Sequence, residues 1–140
     1  MTTYLGFDFG MRRIGVAVGQ TDTGTAQPLE TLRVRDGVPQ WEQITRIITE
    51  WQPAGLVVGI PLKMDGETQE VTHAAKRFAN RLKAHYHLPV YHTDERLTSV
   101  EARSRIFEAT GYKGLVKKPI DSMAAMIILE AWMRENRTPL

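Results

Sequence analysis

The chain of 140 residues contains no cysteine. That excludes disulfides, thiolate metal sites, iron–sulfur clusters and cysteine nucleophiles together. Any metal here must be held by oxygen or imidazole. No apolar run approaches the ~20 residues that span a bilayer. The opening Met1-Thr2-Thr3-Tyr4-Leu5-Gly6-Phe7-Asp8 lacks a basic segment and carries an acid inside its apolar stretch. It does not read as a signal peptide, so a cytoplasmic protein with no membrane partner is expected. Charge of one sign is also scarce: 18 basic against 16 acidic side chains leave a net charge of +2. This permits a nucleic-acid partner without demanding one, and the distribution of charge decides. With 42% hydrophobic and 24% charged residues, disorder is excluded. The length suits one domain over residues 1–140.

Hydrophobic patterning predicts a mixed α/β domain. Tyr4–Gly10 and Ile14–Gly19 read as two strands joined by Met11-Arg12-Arg13, an antiparallel hairpin. Ala26–Val34, with Pro28 inside it, suits a third strand near an edge. Trp41, Ile44, Ile48 and Trp51 recur at steps of three and four, one face of a helix that Pro53 ends. Ala54–Ile60 is apolar on both faces, as a covered central parallel strand should be. A second helix is expected over Thr68–Tyr86, with Val71, Ala75, Phe78 and Leu82 inward, followed by a short strand at Pro89–His92. Thr98 with Glu101 matches a capping box for a third helix that stops before Gly111. A last helix runs from Asp121 to about Asn136 and is apolar nearly all round. It suits the core or a subunit contact, which leaves a homodimer open. The sum is a five-stranded mixed sheet, three antiparallel strands and then two parallel ones, flanked by helices.

Ligands of open α/β sheets bind beyond the carboxyl ends of the parallel strands. Three acidic places converge there: Asp8 near the end of the first strand, Asp94 and Glu95 just after the last, and Asp121 at the start of the final helix. Carboxylates ~4 Å apart repel by about 4 kcal/mol per pair at an effective dielectric near 20. Such a group is stable only around a cation. Magnesium or manganese suits an all-oxygen donor set. Two such ions ~3.5–4 Å apart would activate a water and steady the leaving oxygen of a phosphodiester. Each acid also has a plainer reading. Asp8 could bond the Gly10 amide, Asp94 or Glu95 could pair with Arg96 or Arg103, and Asp121 could be an ordinary N-cap. Asp65 reads as a turn residue and His92 as structural.

Four ordered motifs carry a resemblance. They are Phe7-Asp8-Phe9-Gly10 with Arg13-Ile14-Gly15-Val16-Ala17, then Val58-Gly59-Ile60-Pro61-Leu62, then Asp94-Glu95-Arg96-Leu97-Thr98, then Asp121-Ser122-Met123-Ala124-Ala125. Over essentially the whole chain they resemble the bacterial YqgF family, also called RuvX, the pre-16S rRNA nucleases. That family is similar to RuvC-type Holliday-junction resolvases and has the RNase H-like fold. The resemblance implies a magnesium- or manganese-dependent nuclease that matures the 5′ end of 16S rRNA, with four-way DNA junctions as the competing substrate. It implies Asp8, Glu95 and Asp121 as catalytic metal ligands, with Asp94 the alternative or additional ligand beside Glu95. Where the resolvases carry a glutamate at the end of their fourth strand, this chain has Gly59-Ile60-Pro61, and the Asp94-Glu95 pair must substitute. A non-catalytic RNA-binding module is the alternative that this departure favours. The strand–turn–strand with Asp8 and Gly10 also resembles the phosphate hairpin of actin-like ATPases, which need two such domains.

A phosphodiester substrate needs cations beside the acids to neutralise flanking phosphates. Arg12 and Arg13 follow Asp8, Arg96 follows Glu95, and Lys113, Lys117 and Lys118 precede Asp121. Tyr112 could stack on an unpaired base. Structured nucleic acid is the expected partner. Lys76, Arg77, Arg81 and Lys83 on the second helix read as a solvated face.

Overall fold

The β-branched and aromatic runs at the start of the chain pair as a hairpin, and the rest of the sheet grows from it. The computed structural model describes residues 2–63, 65–94 and 120–136, with positions 120 and 121 described by their backbone alone. The strands are β1 (Thr3–Phe9), β2 (Arg13–Gln20), β3 (Thr25–Arg35), β4 (Val38–Pro39), β5 (Gly55–Ile60) and β6 (Val90–Asp94). The helices are α1 (Trp41–Trp51), α2 (Glu70–Tyr86) and α3 (Ile120–Glu135). The expected helix over 98–110 and the loop after it lie outside the described residues.

The sheet order is β4-β3-β2-β1-β5-β6. β1, β2, β3 and β4 run antiparallel to their neighbours, and β5 and β6 add on in parallel. The expected mixed sheet is present, with six strands instead of five. The additional strand is the two-residue β4, closed onto β3 by Asp36 and Gly37 at φ 51° and 75°. Positive φ at both central residues matches the twist of a tight hairpin. Pro28 sits opposite Ala17 at a register shift, outside the short stretch that β4 covers. There its missing N–H costs no ladder bond.

Alternation along the strands divides the core in two. Leu5, Phe7, Phe9, Val58 and Ile60 point to one face, where α1 and α2 bring Ile44, Ile47, Phe78 and Leu82. Phe78 meets Phe7 and Phe9 at ring-centroid distances of 5.7 and 5.1 Å. Ala17, Ala26 and Val57 point to the other face, which α3 covers with Met123, Ile127, Leu129 and Trp132. α2 starts at Glu70, two residues later than expected, because Gln69 and Thr72 form a capping box. α3 is buried on nearly every side, and Trp132 lies between Tyr4 and Tyr91 at 4.9 and 4.8 Å. Its apolar character is satisfied within the chain and needs no second copy. Among the described residues no helix is long and apolar enough to cross a membrane.

Candidate functional site

The registers of four strand pairs set one row across the sheet: Thr31, Gly15, Asp8, Gly59 and Thr93. In-register residues of neighbouring strands share a face. Asp8 is half-buried and has a glycine on each side. Glycine inside a strand costs roughly 0.5–1 kcal/mol relative to alanine. Both glycines are buried and put no side chain on the sheet face next to Asp8. Thr31, at the far end of the row, keeps a buried hydroxyl with no hydrogen-bond partner among the described residues.

The face that Asp8 shares is the one under α3. A Cβ on Gly6 would lie 2.8 Å from Leu129 Cβ and 3.1 Å from the Ala125 carbonyl oxygen, while Tyr4 packs on Trp132. The helix therefore runs antiparallel to β1. The two strand residues from Gly6 to Asp8 span about 6.6 Å, or roughly four helical residues. This carries the first turn of α3, which contains Asp121, to the level of Asp8. Asp121 is the second helical residue, not the cap that its sequence position suggests. The positive end of a helix favours an acid at either place.

Asp94 closes β6 instead of following it. It pairs with Ile60, whereas Thr93 pairs with Gly59 in the Asp8 row. Alternation thus gives Asp94 the opposite parity from Asp8, on the face of α1 and α2. Glu95 lies outside the described residues. So do Arg96, Tyr112, Lys113, Lys117 and Lys118. Among the described residues no three His, Asp or Glu side chains come together as a metal group. His92 pairs with Val58 and also takes the α2 face. Partial burial, and then the Lys76 ammonium, hold its pKa below the usual histidine value. Asp65 is a turn residue as expected: its Oδ1 accepts from the Glu67 amide at 2.9 Å.

Arg12 and Arg13 are exposed in the β1–β2 turn, which the Gly10 amide closes by donating to the Arg13 carbonyl at 2.9 Å. Arg13 has the Asp8 parity and stands directly opposite Arg33 of β3. Like charges facing across strands are destabilising, so this pair, which sequence reasoning missed, suits an anionic ligand. The signal for Arg33 was its register, which only the closed hairpin reveals.

An open mixed sheet with a half-buried acid in its first strand, and a buried last helix starting beside that acid, is the RNase H-like arrangement of the RuvC-type resolvases. The chain superposes on RuvC of T. thermophilus, solved with a Holliday junction substrate, at a TM-score of 0.59 and 15% identity over 96% of this chain and 95% of that one. It superposes on the Fowlpox virus resolvase, solved with Holliday junction DNA, at 0.60 and 14% over 98% and 100%. The chain belongs to the RuvX family, described as Holliday junction resolvase, whose profile matches residues 2–135. Relatives named pre-16S rRNA nuclease include that of Actinobacillus pleuropneumoniae serotype 5b (strain L20), 55% identical over 93% of this chain and 95% of its own. That of Aeromonas salmonicida (strain A449) is 53% identical over 94% of each.

Proposed function

We propose that this chain is a cytoplasmic, divalent-metal-dependent nuclease that hydrolyses phosphodiester bonds of structured RNA, at the 5′ end of pre-16S rRNA. The observation that carries the reading is Asp8 between Gly15 and Gly59, on the sheet face where the first turn of α3 arrives. An all-carboxylate set fits a hard cation, magnesium or manganese. Asp8, Glu95 and Asp121 would hold it. Asp94 is the less suited neighbour, because its parity turns it away from Asp8. When bound, the metal supplies Lewis-acid stabilisation of the cleaved phosphate and lowers the pKa of an attacking water.

The chain's own residues do the rest. Asp8 contributes fixed negative charge from a strand that α3 and α2 clamp on both faces. Arg12, Arg13 and Arg33 neutralise phosphates flanking the cut. Arg96, Lys113, Lys117 and Lys118 are proposed to extend that field from the 120 side, with Tyr112 stacking on an unpaired base.

The solved neighbours, both holding Holliday junctions, favour a four-way DNA junction as the second substrate. Cleavage of a pre-16S leader RNA and of a DNA junction, with and without magnesium or manganese, tests both. We expect metal-dependent product from the RNA. Asp8→Asn should lower its rate by on the order of a thousandfold while the fold persists. Full activity of Asp8→Asn would overturn the reading. Binding with no cut under any metal would make the chain a non-catalytic RNA-binding module.

A further inference from the structure

We propose that a cleft between α2 and the β1–β2 turn, bordered by Arg77 and Arg81, is a second contact for the phosphate backbone of nucleic acid, on the sheet face opposite Asp8. The inference rests on the nuclease reading and adds to it a surface that the active face does not contain.

The cleft has a volume of about 120 Å³ and is lined by Phe9, Met11, Val34 and Phe78 together with the two arginines. Gly37 borders it at φ 75°, and a Cβ there would meet nothing within 4 Å. The cleft is therefore open on that side. Met11 beside it is 45% exposed. Arg77 and Arg81 are exposed and four apart on α2, a like-charge spacing that costs a helix roughly 0.2–0.5 kcal/mol. Neither has an ion-pair partner among the described residues, whereas Arg46 of α1 pairs with both Glu30 and Glu50. Two exposed guanidinium groups bordering an apolar cleft, with no ion-pair partner among the described residues, suit an anion.

Topology says which anion. Phe9 lines the cleft and directly follows Asp8, and alternation sends the two to opposite faces of the same strand end. The exposed Arg12 sits in the turn between them. A small phosphate ester cannot touch both places. A nucleic-acid strand with one phosphodiester at Asp8 can continue round the turn, past Arg12, and lay its next phosphates on Arg77 and Arg81. The solvated-face reading of α2 therefore holds for Lys83, on the far side of the helix, and fails for these two arginines.

The test is the salt dependence of binding to a labelled RNA duplex without divalent metal, so that nothing is cut. Every phosphate that a variant no longer neutralises should shrink the slope of log affinity against log salt by about 0.7–0.9. Arg77→Ala and Arg81→Ala should each show one such step, with affinity near 0.1 M salt down by roughly five- to tenfold, and the double variant two steps, down by roughly 25- to 60-fold. Lys83→Ala, which removes the same charge elsewhere on α2, should leave the slope unchanged. Melting temperatures should match throughout, since all three side chains are exposed. A drop in Lys83→Ala equal to that in the arginine variants, or no drop in any, overturns the second contact and leaves the active face standing. A wild-type chain that binds no RNA duplex and no DNA junction instead removes the nuclease reading, and this inference with it.

Discussion

Asp8 has a buried glycine on either hand. Gly15→Ala or Gly59→Ala removes the strand-interior penalty of glycine and by that effect alone stabilises the sheet by roughly 0.5–1 kcal/mol. If the missing side chains serve a ligand, activity should fall in both variants while the melting temperature holds or rises. A melting temperature that collapses would show that the glycines serve packing. Asp8 itself was legible in the sequence, because an acid inside an apolar strand has few structural uses. Choosing between Asp94 and Glu95 was not possible there. The face of Asp94 depends on where β6 ends and on its pairing with Ile60, and a shift of one residue would reverse it. Arg33 was hidden for the same reason. Its place opposite Arg13 follows from the hairpin register and from the irregularity at Val16/Ala17, which no local pattern announces.

Among the elements, α3 binds the halves of the sheet together. Its Glu130, 7% exposed, accepts from the Ala26 amide of β3 at 3.0 Å, so one helix holds both a core and a strand backbone. Leu129→Ala should cost about 2–5 kcal/mol, read by chemical denaturation. Gly6→Ala forces a methyl to 2.8 Å from Leu129 Cβ and should cost about 1–3 kcal/mol through overpacking. Leu129→Ala keeps both the Cβ and the Ala125 carbonyl oxygen that the new methyl would meet, so the double variant should cost nearly the sum. A Gly6→Ala cost near zero would mean that the helix does not seat on Gly6. Most elements were readable from periodicity: the hairpin, the apolar β5, and α3 with its buried perimeter. β4 was not, since two residues carry no period. The start of α2 was misjudged because Thr68, Gln69 and Thr72 all offer capping chemistry, and the Thr72 side chain settled it by bonding the Gln69 amide at 2.9 Å and the Pro61 carbonyl.

For the whole molecule, the proposed site, with carboxylates gathered around a cation, would make metal binding and stability one equilibrium. A cation that binds only the folded chain stabilises it by RT ln(1 + [L]/Kd), about 1.4 kcal/mol at ten times Kd. Magnesium or manganese should therefore raise the melting temperature, and a chelator should reverse the rise. Asp8→Asn should abolish the metal response, since one ligand and one unit of repulsion disappear together. A shift that survives in Asp8→Asn would put the ion elsewhere.

The seat of Leu129 on Gly6 and Gly19 joins the two ends of the chain, and that has a consequence for how the molecule is made. The first three strands can emerge and pair early in translation, but their underside, with Ala17 and Ala26 upon it, stays uncovered until α3 arrives about a hundred residues later. Loop closure over so long a separation is slow. Until α3 is made, the newborn protein should therefore be adhesive and, on the proposed reading of Asp8 and Asp121, harmless at once, its sheet bare to chaperones and its two acids not yet brought together.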